Sequence, residues 1–188
     1  MRVILSIIFF LNLNFSFSQS VTNKLKSFNS FKAGEKLEYK LQYGFLNASY
    51  ASLTLKEDVV NNEKVLRATS IGRTTGLARL FFKVDDTYET FFSFDKVQPL
   101  KSIRDIYEGG YVRNAETLYD YKSNTALFHD KIKNIKKEFK IHPEIQDIIS
   151  TFYYLRKHFD ISSLKPNDLI YVDIFFDQEI YPFKMMFL

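Results

Sequence analysis

The chain has 188 residues, a formal net charge of +4 and no cysteine. That length allows one domain or two small ones. The missing cysteine excludes disulfides, thiol chemistry and Cys-ligated metals, and so mild a charge does not point to nucleic acid. Aromatic residues make up 17% of the chain, 20 Phe and 12 Tyr with no Trp. That balance favours strands around a large aromatic interior.

The first residues read as a targeting segment. Arg2 supplies a positive start, Val3 to Phe17 is apolar apart from Ser and Asn, and Ser16 and Ser18 occupy small-residue positions before a cut. The expectation is an exported chain, periplasmic or secreted, cleaved after Ser18. The absence of a following Cys excludes a lipid-anchored start. The apolar run is shorter than the roughly 20 residues of a spanning helix. No later stretch is apolar enough to span a membrane as a helix. An exported chain without disulfides depends on its core for stability.

Three segments are expected: a signal peptide over 1–18, a polar lead-in over 19–32 and one β-rich domain over 33–188. Leu37, Tyr39, Leu41 and Tyr43 alternate with polar residues, as in a half-buried strand. Ala51, Leu53 and Leu55 continue the alternation. Asn61-Asn62 signals a turn, because Asn tolerates positive φ. Thr75 is a plausible N-cap for a short helix over about 75–82, with Leu77, Leu80 and Phe81 on one face. Val84 to Phe94 alternates again, and Val97-Gln98-Pro99 breaks the strand. Gly109-Gly110 joins two further strands, and Ser123-Asn124 turns the chain into Thr125 to His129.

Lys131, Lys133, Lys136, Lys137 and Lys140 crowd the next ten residues, with Ile132, Ile135 and Phe139 between them. A strand with lysines on its open face fits, since lysine discourages edge-to-edge pairing. Contact with an anionic surface or ligand is the functional alternative. The main helix is expected over about 143–158: Ile145, Ile148, Ile149, Phe152 and Phe159 recur at three- and four-residue steps. Pro143 suits a first helical position. Glu144 and Asp147 near the start, and Arg156, Lys157 and His158 near the end, oppose the helix dipole. Leu169 to Phe176 is apolar on both faces, as a well-covered strand would be. Gln178-Glu179 turns it into a last strand, Tyr181 to Leu188, whose apolar end would leave an exposed edge. The pattern as a whole predicts a mainly β chain: an antiparallel meander, curved or partly closed like a barrel, with one main and one short helix.

Candidate chemistry is sparse. Ser150 follows Asp147 by three residues, with His142 and His158 nearby, which invites a Ser-His-Asp reading. The Gly-x-Ser-x-Gly elbow that would expose the nucleophile is missing. His129, His142 and His158 have no metal-ligand spacing, and no Gly-rich phosphate loop occurs, so neither metal nor cofactor is expected. Asp85 and Glu89 fall on the solvent face of their strand. Tyr107, Tyr111, Tyr119 and Tyr121 could stack on sugars or line a lipid groove, but cross-strand pairing explains them more simply.

The run Asp147-Ile-Ile-Ser150-Thr-Phe-Tyr153-Tyr-Leu-Arg156 after His142-Pro143 resembles the signature of a family of exported bacterial proteins known as domain of unknown function 3108. Phe31 to Tyr39, Gly76 to Asp86 with Tyr88-Glu89-Thr90, and Leu164-Lys-Pro166 are similar to its motifs in the same order. The resemblance covers about Phe31 to Leu188. It implies an antiparallel meander and marks Asp147, Ser150, Tyr153 and Arg156 as signature residues without assigning them chemistry. It also implies further strands beyond Leu188, and hence a domain incomplete at its C-terminus. The functional expectation is a non-enzymatic envelope module that binds or carries an amphiphilic lipid or glycan. An envelope assembly protein is the alternative, and a hydrolase using Ser150 or Asp147 comes third.

Overall fold

The computed structural model describes residues 30–44 and 46–188. The expected signal peptide, its cleavage site and most of the polar lead-in lie outside the described residues. Eight strands form one antiparallel sheet in sequence order: β1 (Lys36–Tyr43), β2 (Leu46–Val60), β3 (Glu63–Thr74), β4 (Asp85–Phe92), β5 (Pro99–Glu108), β6 (Tyr111–Asp120), β7 (Thr125–Asp130) and β8 (Ile135–Lys140). The predicted meander is therefore the observed topology. The sheet is not closed: β1 and β8 are its two edges and do not pair. A short helix, α1 (Gly76–Phe81), interrupts β3 and β4. The main helix, α2 (Ile148–His158), follows β8, and a separate hairpin of β9 (Leu169–Phe176) and β10 (Glu179–Met186) completes the described chain.

Turn chemistry explains the register. Asn61 and Asn62 both take positive φ, 51° and 65°, which suits the two-residue hairpin between β2 and β3. Gly109 and Gly110 do the same between β5 and β6. The tip of the β9–β10 hairpin is Asp177-Gln178 rather than Gln178-Glu179, again with two positive φ values.

Register fixes which residues share a face. Leu37 pairs with Leu53, Leu55 with Ala68, Leu66 with Phe92 and Thr90 with Ser102. These make the inner face, against which α2 and the β9–β10 hairpin pack. Two apolar clusters result. One joins Leu53, Leu55, Leu66, Ala68, Phe92 and Val97 to Tyr153 of α2. The other joins Tyr119 and Ala126 to Ile141, Ile145 and Phe175 of the hairpin. Each large apolar side chain buried there contributes about 1.5–3 kcal/mol. The outer face is polar. Its buried Phe91 is roofed by Arg67 and Lys101, whose cationic ends lie 5.3 and 5.6 Å from the ring centre.

Three expectations need correction. The main helix begins at Ile148, not near Pro143. Pro143 and Glu144 form a turn instead, closed by Ile145 N–H donating to His142 O, and Gln146 N–H donates to Asp173 O while Phe175 N–H donates to Gln146 O, tying the approach to α2 to the hairpin. The buried stripe also differs: Ile148 is 43% exposed, whereas Ser150, Thr151 and Tyr153 are buried. Finally, β9 is not covered on both faces, since Tyr171 is 64% exposed.

Candidate functional site

The site is organised by the way α2 is fastened. Asp147 is its N-cap and Ser150 its third residue, and the two form a reciprocal box. Ser150 N–H donates to Asp147 Oδ1 at 2.7 Å, and Asp147 N–H donates to Ser150 Oγ at 2.9 Å. Such a box satisfies two backbone donors that a buried helix start would otherwise leave unpaired. Thr90 on β4 donates its hydroxyl to both carboxylate oxygens at 3.1 and 3.0 Å, and Thr151 donates to Asp147 O at 2.6 Å. Burial raises the Asp147 pKa to about 6 against the pull of these donors. A space of about 30 Å³ lies beside the carboxylate, room for a water molecule.

Tyr153 comes about one turn beyond Ser150, on the same buried side. Its ring sits 4.9 Å from Phe31, 5.3 Å from Phe92 and 5.3 Å from Phe152, between helix, sheet and lead-in. Its hydroxyl is buried without a hydrogen-bond partner, and burial raises its pKa. At the far end of the helix, Arg156 grips Glu35 with both terminal nitrogens at 2.7 and 2.8 Å and donates to Ser30 O at 2.6 Å. Its guanidinium also lies over Phe31, Phe152 and Tyr153. The four signature residues thus share one purpose. Asp147 and Ser150 seal the start of α2, Tyr153 fills its contact with the sheet, and Arg156 ties its end to the segment before β1.

The hydrolase constellation is not assembled. Ser150 Oγ is fully buried and committed to the Asp147 backbone. His142 Nε2 meets Asp173 Oδ2 at 2.9 Å instead, and His158 Nδ1 is buried without a partner. Among the described residues no group of three or more His, Asp or Glu is placed to hold a metal ion. The five lysines do not form one face. Lys131 and Lys133 lie in the β7–β8 turn, Lys136 and Lys140 face outward on edge strand β8, and Lys137, opposite Phe128, shares the inner side. The tyrosines do not pair with one another. Tyr119 packs on Phe175, Tyr121 donates to Pro99 O, Tyr107 lies under Lys83, and Tyr111 accepts from Arg113.

Where α2 ends, a groove opens between its last turn, the 3₁₀ turn at Ile161–Ser163 and the open end of the β9–β10 hairpin. Leu155, Phe159, Leu164, Ile170, Met185 and Phe187 supply most of its wall, and Ser30, Arg156 and Asp160 supply its polar rim. Its volume is about 630 Å³, within the range of small-molecule sites. The two methionines at 185 and 186 give the wall an adaptable surface. Sequence reasoning placed Phe159 in the helix stripe, Leu164 in a family motif and Arg156 among the signature residues, but did not bring them together with the last two strands as a site. The signal available was the apolar run Phe159, Ile161 and Leu164 just past the helix, together with the Met-Met-Phe end of the last strand.

The model of the family described as "Protein of unknown function (DUF3108)" matches residues 38–188. The chain belongs to this family. The expected resemblance therefore holds over nearly the whole β-rich region of this DUF3108 member. No curated protein and no solved structure matches it. Among the described residues, no helix is long and apolar enough to cross a membrane.

Proposed function

We propose that this DUF3108 chain is an exported, non-enzymatic envelope module that binds an amphiphile, a lipid or an acylated glycan, with its apolar part in the groove beyond α2. The groove itself carries the reading: about 630 Å³ of mostly apolar space beside a rim holding Ser30 and Arg156. An acyl chain suits that shape, because each methylene buried contributes about 0.8 kcal/mol. The commitment of Ser150 and Asp147 to the helix cap supports a binding role over a hydrolytic one. Export rests on the pattern of Arg2, Val3–Phe17 and the small residues Ser16 and Ser18.

The test is a titration with a fluorescent long-chain fatty acid, alongside mass spectrometry of gently purified protein. Saturable binding is expected. Ile170→Glu, which places a charge on the groove wall, should weaken it by about tenfold or more. A clean apo mass with no probe binding, or binding indifferent to Ile170→Glu, contradicts the proposal.

A second reading, docking of an envelope protein, is favoured by the open sheet edges β1 and β8. A discrete crosslinked adduct through β8 in cells would support it over the groove.

A further inference from the structure

Three of the connections at one end of the eight-stranded sheet are residues 75–84 with α1, the Gly109-Gly110 tip, and the turn 131–134. Gly109 N–H donates to Lys83 O at 2.8 Å, which sets the first two side by side, and Lys131 N–H donates to Asn114 O at 2.8 Å, which starts the last turn beside β6, back from the glycine tip.

Large apolar side chains stand out from this end. Leu80 is 80% and Phe81 88% exposed, and Leu77, Phe82, Val112 and Ile132 are each more than half exposed. No residue of α1 is buried, so the face that carries Leu77, Leu80 and Phe81 points outward. The helix is nonetheless firmly rooted. Arg79 holds both oxygens of Asp85 at 2.8 and 2.6 Å and reaches Val84 O at 3.2 Å. The Phe82 ring lies against Gly109, where a Cβ would collide with it.

Charge distinguishes the patch. The three connections contain Arg79, Lys83, Lys131 and Lys133 and no acidic residue. Of the acids flanking them, Asp85 is held by Arg79 and Lys83, the buried Asp86 accepts from the Tyr107 amide, Asp130 Oδ1 accepts from the Ile132 and Lys133 amides, and Glu108 borders the glycine tip. Lys131 reaches Glu116 at 3.3 Å. Lysine among large apolar side chains is unusual at protein interfaces. It is the composition of surfaces that lie on anionic lipid, where apolar groups enter the headgroup–acyl boundary and lysines snorkel to phosphates.

We propose that this end of the sheet docks on an anionic bilayer surface, with Leu80 and Phe81 entering the boundary region and Lys83 and Lys133 at the lipid phosphates. The docking site is separate from the groove and goes beyond the binding function proposed above.

Because the chain has no cysteine, one introduced cysteine labels uniquely. A polarity-sensitive fluorophore on Leu80→Cys should shift to the blue on addition of vesicles containing phosphatidylglycerol, less so with phosphatidylcholine alone and less at high salt. The same label on Lys56→Cys, on the outer face of β2, should stay in water and report any contact made elsewhere. Adding Phe81→Glu to Leu80→Cys should weaken the response to vesicles about tenfold or more. Both positions are solvent-exposed, so an unchanged melting temperature is expected for the variants. No shift at Leu80, an equal shift at Lys56, or a shift indifferent to Phe81→Glu overturns the proposal. So does a concentration-dependent shift without vesicles, which would make a second copy of the chain the occupant. Ile170→Glu separates the two proposals: it should leave the vesicle response intact whether or not the groove binds an amphiphile.

Discussion

Two side chains show how packing and local cost trade off. Val97 takes a φ of 55° yet is fully buried in the first apolar cluster. A β-branched residue there pays about 1–3 kcal/mol of backbone strain, and burial of its side chain returns about 1.5–3 kcal/mol. Val97→Ala forfeits packing and keeps most of the strain, while Val97→Gly forfeits slightly more packing and loses the strain. Denaturant unfolding should therefore find the glycine variant at least as stable as the alanine one, with both below the wild type. A glycine variant weaker than alanine by about 1 kcal/mol or more, the usual order at a buried site, would show that the strain is not there. Asp147 carries a different cost. Its carboxyl titrates near 3.8 when unfolded and at about 6 when folded, because burial disfavours its charge. Between those values the native state holds more protons, so stability falls as pH rises through the window, by about 3 kcal/mol from this group alone. Asp86, also raised to about 6 by burial, acts in the same direction. Asp147→Asn keeps a capping oxygen and has no proton to lose. Its stability should fall less between pH 4 and 6; an unchanged slope would mean that Asp147 is not the buried acid described.

At the scale of elements, α2 is held at both ends by polar groups and in the middle by an aromatic ring. Arg156 forms its fork to Glu35 with only about a quarter of its side chain exposed. Arg156→Lys cannot reproduce the bidentate grip or the stacking. A loss of about 1.5–3 kcal/mol is expected, with faster amide exchange over residues 30–36. If that segment stays as protected as before, the fork is not what holds it. This helix was only partly legible in the sequence. Apolar spacing announced it, and its last turn falls as expected, but Pro143 drew the start too early. The deciding signal was Asp147 and Ser150 three apart, a capping pair that also looks like a catalytic one. The buried stripe was misread for a related reason. Ser150 and Thr151 are buried because the backbone of Asp147 satisfies their hydroxyls, and a hydrophobicity pattern does not register such bonds. The strands were far more legible, because alternation and turn residues such as Asn61-Asn62 and Gly109-Gly110 act over short distances. In α1, the spacing of Leu77, Leu80 and Phe81 correctly gave a helix but not the side of it that faces water.

For the whole molecule, an open antiparallel sheet has one face closed by a single helix and a separate hairpin. The groove appears where those two covers part company. It joins Leu155 and Phe159 of the helix end to Ile170, Met185 and Phe187 of the hairpin. No local pattern announces a cavity assembled from such separated segments, which is why the sequence pointed to an amphiphile only through aromatic content, the export signal and the expected curvature of the sheet. The chain contains three methionines, and two of them, Met185 and Met186, line the groove. Their methyl groups are direct reporters of occupancy. Methyl NMR of methionine-labelled protein should be recorded during titration with a single-chain amphiphile kept below its micelle concentration. Saturable shifts of both the Met185 and Met186 methyl signals are expected if the groove is the binding site; signals that stay fixed while the amphiphile binds elsewhere, or fails to bind, would contradict it.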